Sequence, residues 1–268
     1  MKRWLFFAYG AGCHLLFFAT YAYMAGFVGS LLVPKTINSV TDGPTSQAVA
    51  IDLLLLGLFA VQHSVMARPA FKRIWTRVVP TEIERSTYVL LSCLVTFVLM
   101  WQWRGLDAVV WDVQSSVGRV AMWGLFAFGW LLVPAVSFMI HHFDLFGTRQ
   151  VWLYLRGQQY QSLPFRTPHL YKRVRHPLYV GWTVAFWAIP TMTVGHLLFA
   201  GVLTVYMLLA AVVEERDLIA HFGRQYEEYR RRVPMFIPRW GKRSAPVVQP
   251  AGEVAPPALG DVLEECGV

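Results

Sequence analysis

The chain is 268 residues long, and 56% of its residues are apolar while only 15% are charged. Soluble domains carry roughly 25% charged residues, so this composition excludes an ordinary soluble protein and indicates an integral membrane protein. The net charge of +8 calls for no nucleic-acid partner, because basic loops beside anionic lipid account for it.

Four segments in the N-terminal half predict membrane-spanning helices, because each is apolar and reaches the roughly 18 residues that a span needs. Only the second segment carries a formal charge, at Asp52. The loop between the second and third segments mixes basic residues with Phe71, Ile74 and Trp75, which favours an amphipathic helix at the membrane surface. The four segments are 4–33, 48–67, 86–103 and 120–142.

The longest uncharged run covers residues 178–213. A single straight helix of that length would measure about 54 Å, well beyond a hydrocarbon core of roughly 30 Å. Pro190 and Gly195 lie near the middle of the run, where a chain can turn. The run therefore predicts a transmembrane helical hairpin that enters and leaves the membrane at the same face.

Such a hairpin brings the start of its first helix close to the end of its second. Pro177 suits the first helical position, so Arg175 and His176 lie at the positive end of the helix dipole, where an anion can bind. Tyr179 shares the face of His176, and Gly181 permits close approach of a ligand or a neighbouring helix. Anchoring of the helix end at the lipid headgroups is the alternative.

Glu214 and Glu215 follow the hairpin directly. Two carboxylates near the negative end of a helix and beside an anionic membrane surface need cationic partners or a ligand rich in hydrogen-bond donors. A salt bridge to Arg175 or Arg216 is one explanation of the pair. Binding of an ammonium group or a ribose diol is the other.

Residues 214–233 predict one amphipathic helix, and residues 241–268 a disordered tail. In the first segment Leu218, Phe222 and Tyr226 begin an apolar stripe at spacings of three and four residues, with charges on the other faces. In the second, Pro, Ala, Val and Glu follow one another without periodicity.

The predicted fold is an all-α, polytopic membrane bundle of four spans, a transmembrane hairpin and a cytosolic amphipathic helix.

The distribution of basic residues predicts the orientation. Six crossings place both termini on one side, where 21 of the 24 lysines and arginines lie. The positive-inside rule assigns that side to the cytoplasm. The residues around Arg175 and Glu214 are then expected at the cytoplasmic face.

The C-terminal part of the chain resembles the isoprenylcysteine carboxyl methyltransferase superfamily. The similar motifs are R-H-P-L-Y-V-G at 175–181, E-E-R-D-L at 214–218, F-G-R-Q-Y-E-E-Y at 222–229 and R-V-P-M-F-I-P at 232–238. The resemblance implies a membrane methyltransferase that uses S-adenosyl-L-methionine as methyl donor, with a methyltransferase domain over 1–240 and the cofactor-binding part at about 168–240. The cofactor-binding residues that it implies are Arg175, His176, Tyr179, Gly181, Glu214 and Glu215.

A closer resemblance covers about residues 1–240, to the bacterial methanethiol S-methyltransferases in a nurim-like branch of that superfamily. The segments that carry it are 26–35, 62–72, 84–90, 142–147, 149–154 and 190–200. It implies a bacterial inner-membrane enzyme that converts methanethiol to dimethyl sulfide and leaves S-adenosyl-L-homocysteine. No metal is expected, since Cys13, Cys93 and Cys266 are scattered. The oligomeric state is left open.

A thiol reacts as its thiolate, and two explanations of how it forms stay open: a base near the cytoplasmic face, or stabilisation of the thiolate by the nearby sulfonium and cations. The catalytic candidates are His63 beside Gln62, His142 with Asp144, and His176 itself. Helix packing is the alternative role of His63 and His142. Two other functions stay open from sequence alone: methylation of a prenyl-cysteine carboxylate or lipid amine, and a structural membrane protein without catalysis.

Overall fold

The structure is a computed structural model that describes residues 1–39 and 41–238, and the predicted tail at 241–268 lies outside the described residues. Five of its helices are long and apolar enough to cross a membrane. The predicted all-α, multi-pass membrane bundle is therefore confirmed. The five helices are α1 (Lys2–Gly29), α2 (Thr45–Met66), α4 (Thr81–Gln102), α5 (Ser116–Met139) and α9 (Val194–Phe222).

Shorter elements connect these helices. In the loop after α2 a helix forms where the sequence predicts one. The remaining short elements are α3 (Pro69–Trp75), α6 (His142–Leu145), α7 (Thr148–Leu155), a 3-10 turn (His169–Lys172), α8 (Pro177–Trp187) and α10 (Arg224–Arg232).

The uncharged run forms the predicted hairpin, with two unequal legs. Helix α8 has 11 residues, or about 16 Å of helix, and it ends before Pro190. Residues 188–193 then continue without helix, and α9 returns over 29 residues. Helix α8 is therefore shorter than a membrane span, and it is not among the five long apolar helices.

The prediction of a single amphipathic helix over 214–233 is wrong. Helix α9 continues through Glu214 and Glu215 to Phe222, and α10 starts only after Gly223. Gly223 has φ +54 and ψ −132, a conformation that other residues rarely adopt, and it separates the two helices. The two glutamates thus lie inside the return helix.

A two-stranded antiparallel ribbon joins the α4–α5 connection to the α8–α9 connection. Strand β1 (Val109–Asp112) pairs with β2 (Thr191–Thr193), and Thr191 Oγ1 donates to Asp112 Oδ1 across 2.6 Å. We call this part of the bundle the ribbon end. The opposite part, where α1 and α8 begin, is the basic end.

Helix α8 packs tightly on α5 through small residues. A Cβ atom on Gly129 of α5 would lie only 2.5 Å from the backbone nitrogen of Ala185, and one on Gly181 would lie 3.0 Å from Val133. Glycine at these positions lets the two backbones approach, as is typical of helix pairs in membranes. This contact fixes α8 and therefore the position of Arg175 and His176 at its start.

Candidate active site

Glu215 is the centre of a buried ion-pair cluster at the basic end. Its side chain is 4% exposed, and its Oε1 accepts from Arg175 Nε at 2.6 Å and from His176 Nε2 at 3.1 Å. Its Oε2 lies 3.4 Å from Arg230 Nε. The cluster links the start of α8, the C-terminal third of α9 and helix α10. Two explanations of the glutamate pair were open from the sequence, and for Glu215 the structure shows the salt bridge to Arg175.

The segment after α10 returns to the residues before α8. The guanidinium of Arg175 donates two further hydrogen bonds to backbone carbonyls, and the backbone N–H groups of Arg175 and His176 donate two more. The acceptors are the carbonyl oxygens of Arg230, Val233, Pro234 and Met235. Arg175 therefore holds α10 and the residues behind it in place.

Glu214 differs from its neighbour in exposure. Its side chain is 45% exposed, and its Oε2 accepts from Tyr179 Oη at 2.9 Å and lies 3.8 Å from His176 Nδ1. The ring of Tyr179 is parallel to that of His176, with the centroids 5.3 Å apart. Burial raises the pKa of Tyr171, and the charge of Glu214 raises it further. Glu214 thus presents a carboxylate to an accessible, aromatic surface.

Helix α10 docks by the apolar face that the sequence predicts. Tyr226, Tyr229 and Val233 are buried and pack against Phe165 from the loop before α8. Tyr229 Oη also donates to the carbonyl of Tyr171 across 2.6 Å. Burial raises the pKa of Tyr226 and Tyr229, so both phenols stay neutral.

Two adjoining cavities, of about 300 Å³ and about 170 Å³, lie among α1, α2, α4, α5, α8 and α9. The shared wall contains Met24, Phe59, His63, Thr96 and Trp182. Tyr179, which binds Glu214, lines the smaller cavity. The apolar interior therefore reaches the polar cluster at this tyrosine.

His63 lies in the shared wall of the cavities. Its Nε2 is 3.0 Å from Tyr88 Oη, which also donates to the His63 carbonyl at 3.3 Å. Both contacts are satisfied when the phenol hydrogen goes to the carbonyl and the phenol oxygen accepts from Nε2–H. The Nδ1 atom is then an acceptor, and its contact with Ser92 Oγ is long, at 3.4 Å.

His142 lines the larger cavity, but hydrogen bonds engage both of its nitrogens. Ser137 Oγ donates to the Pro134 carbonyl at 2.8 Å and accepts from His142 Nδ1 at 2.8 Å. His142 Nε2 is 2.9 Å from His14 Nε2, whose Nδ1 accepts from Thr148 Oγ1 at 2.7 Å. Burial lowers the pKa of His142, and His14 lowers it further.

Asp144 is not the partner of His142. It pairs with Arg149 Nη1 at 3.0 Å and accepts from Tyr160 Oη at 3.2 Å. These contacts connect α6 to α7 and to the following loop.

Sequence reasoning missed four polar side chains around the cavities. Tyr88, Ser92 and Ser137 line the larger cavity, and His14 binds His142 beside it. The signal available was the presence of polar residues inside the apolar segments 4–33, 86–103 and 120–142. Spacing alone could not show that each of these four residues contacts one of the predicted histidines.

No group of three or more His, Cys, Asp or Glu side chains among residues 1–39 and 41–238 could hold a metal ion. The polar cluster is thus one of carboxylates, guanidinium groups and an imidazole.

Comparison with known proteins decides the family. Residues 53–242 match the family model described as NnrU protein. The chain belongs to the NnrU family. Within it, the chain is 54% identical to a methanethiol S-methyltransferase of Mycobacterium tuberculosis, covering 91% of this chain and 99% of the relative.

A methanethiol S-methyltransferase of Crocosphaera subtropica is 48% identical over 91% of this chain and 96% of its own length. Nurim of Danio rerio is 29% identical over 69% of this chain and 70% of its own. These relatives agree with the resemblance found in the motifs. No solved structure matches the chain.

Proposed function

We propose that this chain is a membrane methyltransferase that transfers the methyl group of S-adenosyl-L-methionine to methanethiol, giving dimethyl sulfide and S-adenosyl-L-homocysteine. The observation that carries the proposal is the position of Tyr179. Its hydroxyl binds the exposed carboxylate of Glu214, while its ring lines an apolar cavity. The polar site proposed for the methyl donor and the apolar site proposed for the methyl acceptor therefore meet at Tyr179.

The residues around Glu214 fit the polar groups of S-adenosyl-L-methionine. A half-exposed carboxylate suits an ammonium group or ribose hydroxyls, and the adjacent start of α8 suits a carboxylate. When bound, the cofactor supplies an electrophilic methyl group on a sulfonium. In this assignment Glu214, Tyr179 and His176 hold the cofactor within the 168–240 part of the domain, and Gly181 lets α8 pack closely enough to place them.

Glu215 and Arg175 act on the cofactor indirectly in this proposal. Glu215 is 4% exposed and is saturated by three basic side chains, so it has little surface to offer a ligand. Its role is to hold Arg175 and His176 beside Glu214 and to keep α10 docked. Helix α10 then excludes water from the reacting sulfonium.

His63 is the base that this geometry favours. His63 lines both cavities and its Nδ1 makes one long contact, whereas both nitrogens of His142 have hydrogen-bond partners and His176 Nε2 is bound to buried Glu215. His63 Nδ1 takes the thiol proton, and Tyr88 holds the ring in the tautomer that leaves Nδ1 free to accept. His142 and Asp144 are then structural.

The basic end faces the cytoplasm of a bacterial cell in this proposal, and the protein lies in the inner membrane. The charge asymmetry of the loops supports that orientation. It also gives the site access to S-adenosyl-L-methionine, which is a cytoplasmic metabolite.

The test is methyl transfer by the purified protein in detergent or liposomes. With S-adenosyl-L-methionine carrying a labelled methyl group and with methanethiol, we expect labelled dimethyl sulfide in the headspace and one equivalent of S-adenosyl-L-homocysteine. Glu214→Gln should bind the donor about ten- to a hundred-fold more weakly, as loss of a charge-assisted hydrogen bond predicts. Failure of the parent protein to methylate methanethiol while it binds the donor would refute the proposed substrate.

A further inference from the structure

The apolar cavities are much larger than methanethiol. Methanethiol has two heavy atoms and needs about 60 Å³ if each takes the roughly 30 Å³ of a water molecule in the liquid. The larger cavity alone measures about 300 Å³, and the adjoining one adds about 170 Å³. Most of this space is therefore surplus to the proposed substrate.

The lining of the larger cavity selects against polar ligands. Its walls are mostly aromatic and aliphatic, and they come from α1, α2, α4, α5, α6 and α8. The polar side chains there are largely engaged elsewhere: Ser137 bonds to His142, Ser92 accepts from Gln62, and Arg85 donates to the Leu145 carbonyl. A strongly polar ligand would lose its hydration against these apolar walls, which costs free energy. The apolar lining residues include Phe17, Phe18, Tyr21, Met24, Val89, Val133, Phe146 and Trp182.

The reactive groups lie at one side of this space. His63 belongs to both cavities, and Tyr179 lines the smaller one beside Glu214. A thiol with its sulfur near His63 can therefore extend an alkyl chain into the larger cavity. The chain would contact α1 through Thr20 and α5 through Val133.

We propose that the enzyme also methylates longer, uncharged alkyl thiols, with the alkyl chain in the larger cavity. This inference rests on the proposed methyl-transfer function. The bond formed is the new S–CH₃ bond of a methyl thioether. The bonds broken are the S–H bond of the thiol and the C–S bond between the methyl group and the donor sulfonium, and the proton goes to His63 Nδ1.

Burial of each added methylene should improve kcat/KM about four-fold. From methanethiol to butanethiol the gain is about sixty-fold on this basis. The increase stops when the chain fills the larger cavity, near ten heavy atoms at about 30 Å³ each. Dodecanethiol exceeds that number and should be a poor substrate.

The experiment measures kcat/KM for methane-, ethane-, propane-, butane- and dodecanethiol, with free cysteine as the charged control. We expect a rise through butanethiol, a fall at dodecanethiol and no methylation of cysteine. A steady fall from methanethiol onward overturns the inference while leaving the proposed function intact. Absence of methylation for every thiol, methanethiol included, overturns both.

A matched pair of variants locates the alkyl chain. Thr20→Phe adds a ring to the wall of the larger cavity, whereas Thr20→Val keeps the original volume. The butanethiol-to-methanethiol ratio of kcat/KM should fall about ten-fold or more in the first variant and stay near the parent value in the second. Val89→Phe, on the facing helix α4, provides the same test if Thr20→Phe fails to fold. A ratio unchanged in a folded filling variant contradicts the placement.

Discussion

Arg175 and Glu215 lie 40 residues apart in the chain, yet Arg175 Nε donates to Glu215 Oε1 across 2.6 Å. Both side chains are largely buried, at 10% and 4% exposure. Because His176 and Arg230 reach the same carboxylate, one acidic side chain of α9 binds basic groups from the start of α8 and from α10. The neighbouring Glu214 is left to face outward.

The two adjacent glutamates should respond differently to the same substitution. Glu215→Gln removes the charge that compensates buried Arg175, and we expect a loss of stability of about 3 kcal/mol. Glu214→Gln should leave the thermal unfolding midpoint near the parent value and weaken donor binding instead. Thermal unfolding in detergent and calorimetric titration with S-adenosyl-L-methionine measure the two effects. Equal loss of stability in both variants would contradict this division.

The assignment of His63 as base predicts a graded series of catalytic defects. His63→Gln should lower kcat by about a hundred-fold or more, as expected for loss of a general base. Tyr88→Phe should lower kcat by a smaller factor. The aromatic ring at position 88 keeps its packing, but the hydrogen bond that selects the tautomer of His63 is lost. The affinity for S-adenosyl-L-methionine should change in neither variant.

His142→Gln is the matched control for that series. Its nitrogens already bind Ser137 and His14, so we expect a lower unfolding temperature and a modest change in kcat. A collapse of kcat in a stable His142→Gln protein would move the base to the larger cavity.

The α5–α8 contact predicts a strong difference between two glycines of one helix. Gly129→Leu places side-chain atoms against the backbone of Ala185 and should displace α8, with loss of donor binding. Nothing lies within 4 Å of the Cβ position of Gly124, so Gly124→Leu should be tolerated. Donor binding by both purified variants is the measurement. Normal binding by Gly129→Leu would show that the contact is dispensable.

The orientation is tested by labelling single cysteines in intact cells, after Cys13, Cys93 and Cys266 are replaced. We expect an impermeant maleimide to modify Thr41→Cys and Asp112→Cys but not Gln158→Cys. The reverse pattern would place the Glu214 cluster on the side that lacks S-adenosyl-L-methionine.

The docked face of α10 gives a last prediction. Phe222→Ser combined with Tyr226→Ser removes the aromatic contacts with Phe165 and should abolish methyl transfer. Deletion of 241–268 should leave methyl transfer nearly unchanged, since the composition of that segment predicts no packing. Measured rates of dimethyl sulfide formation compare the two. A silent double substitution would show that α10 is not needed as a cover.

The membrane helices and the hairpin could be predicted because length and absence of charge determine them. Residues 178–213 are too long for one span, and Pro190 indicates where the chain turns. The end of α9 could not be predicted, because the apolar stripe continues at helical spacing across Gly223. The different exposures of Glu214 and Glu215 depend on which helix face meets Arg175, and motif spacing does not determine that.

The polar contacts inside the bundle could not be predicted from the sequence either. Partners such as His14 and His142 are 128 residues apart, and no local pattern links them. The strands β1 and β2, at four and three residues, are too short to show a period of two. In each case the missing information is the packing between distant segments.

The β1–β2 pairing has a consequence for biogenesis. Asp112 and Thr191 are 79 residues apart, so β1 leaves the ribosome long before its partner exists. The ribbon closes only when α5 and α8 have both been inserted, and α9 supplies Glu215 later still. A nascent chain interrupted before residue 191 therefore exposes an unpaired strand, the kind of edge that promotes aggregation. Completion of synthesis is thus coupled to the removal of that edge.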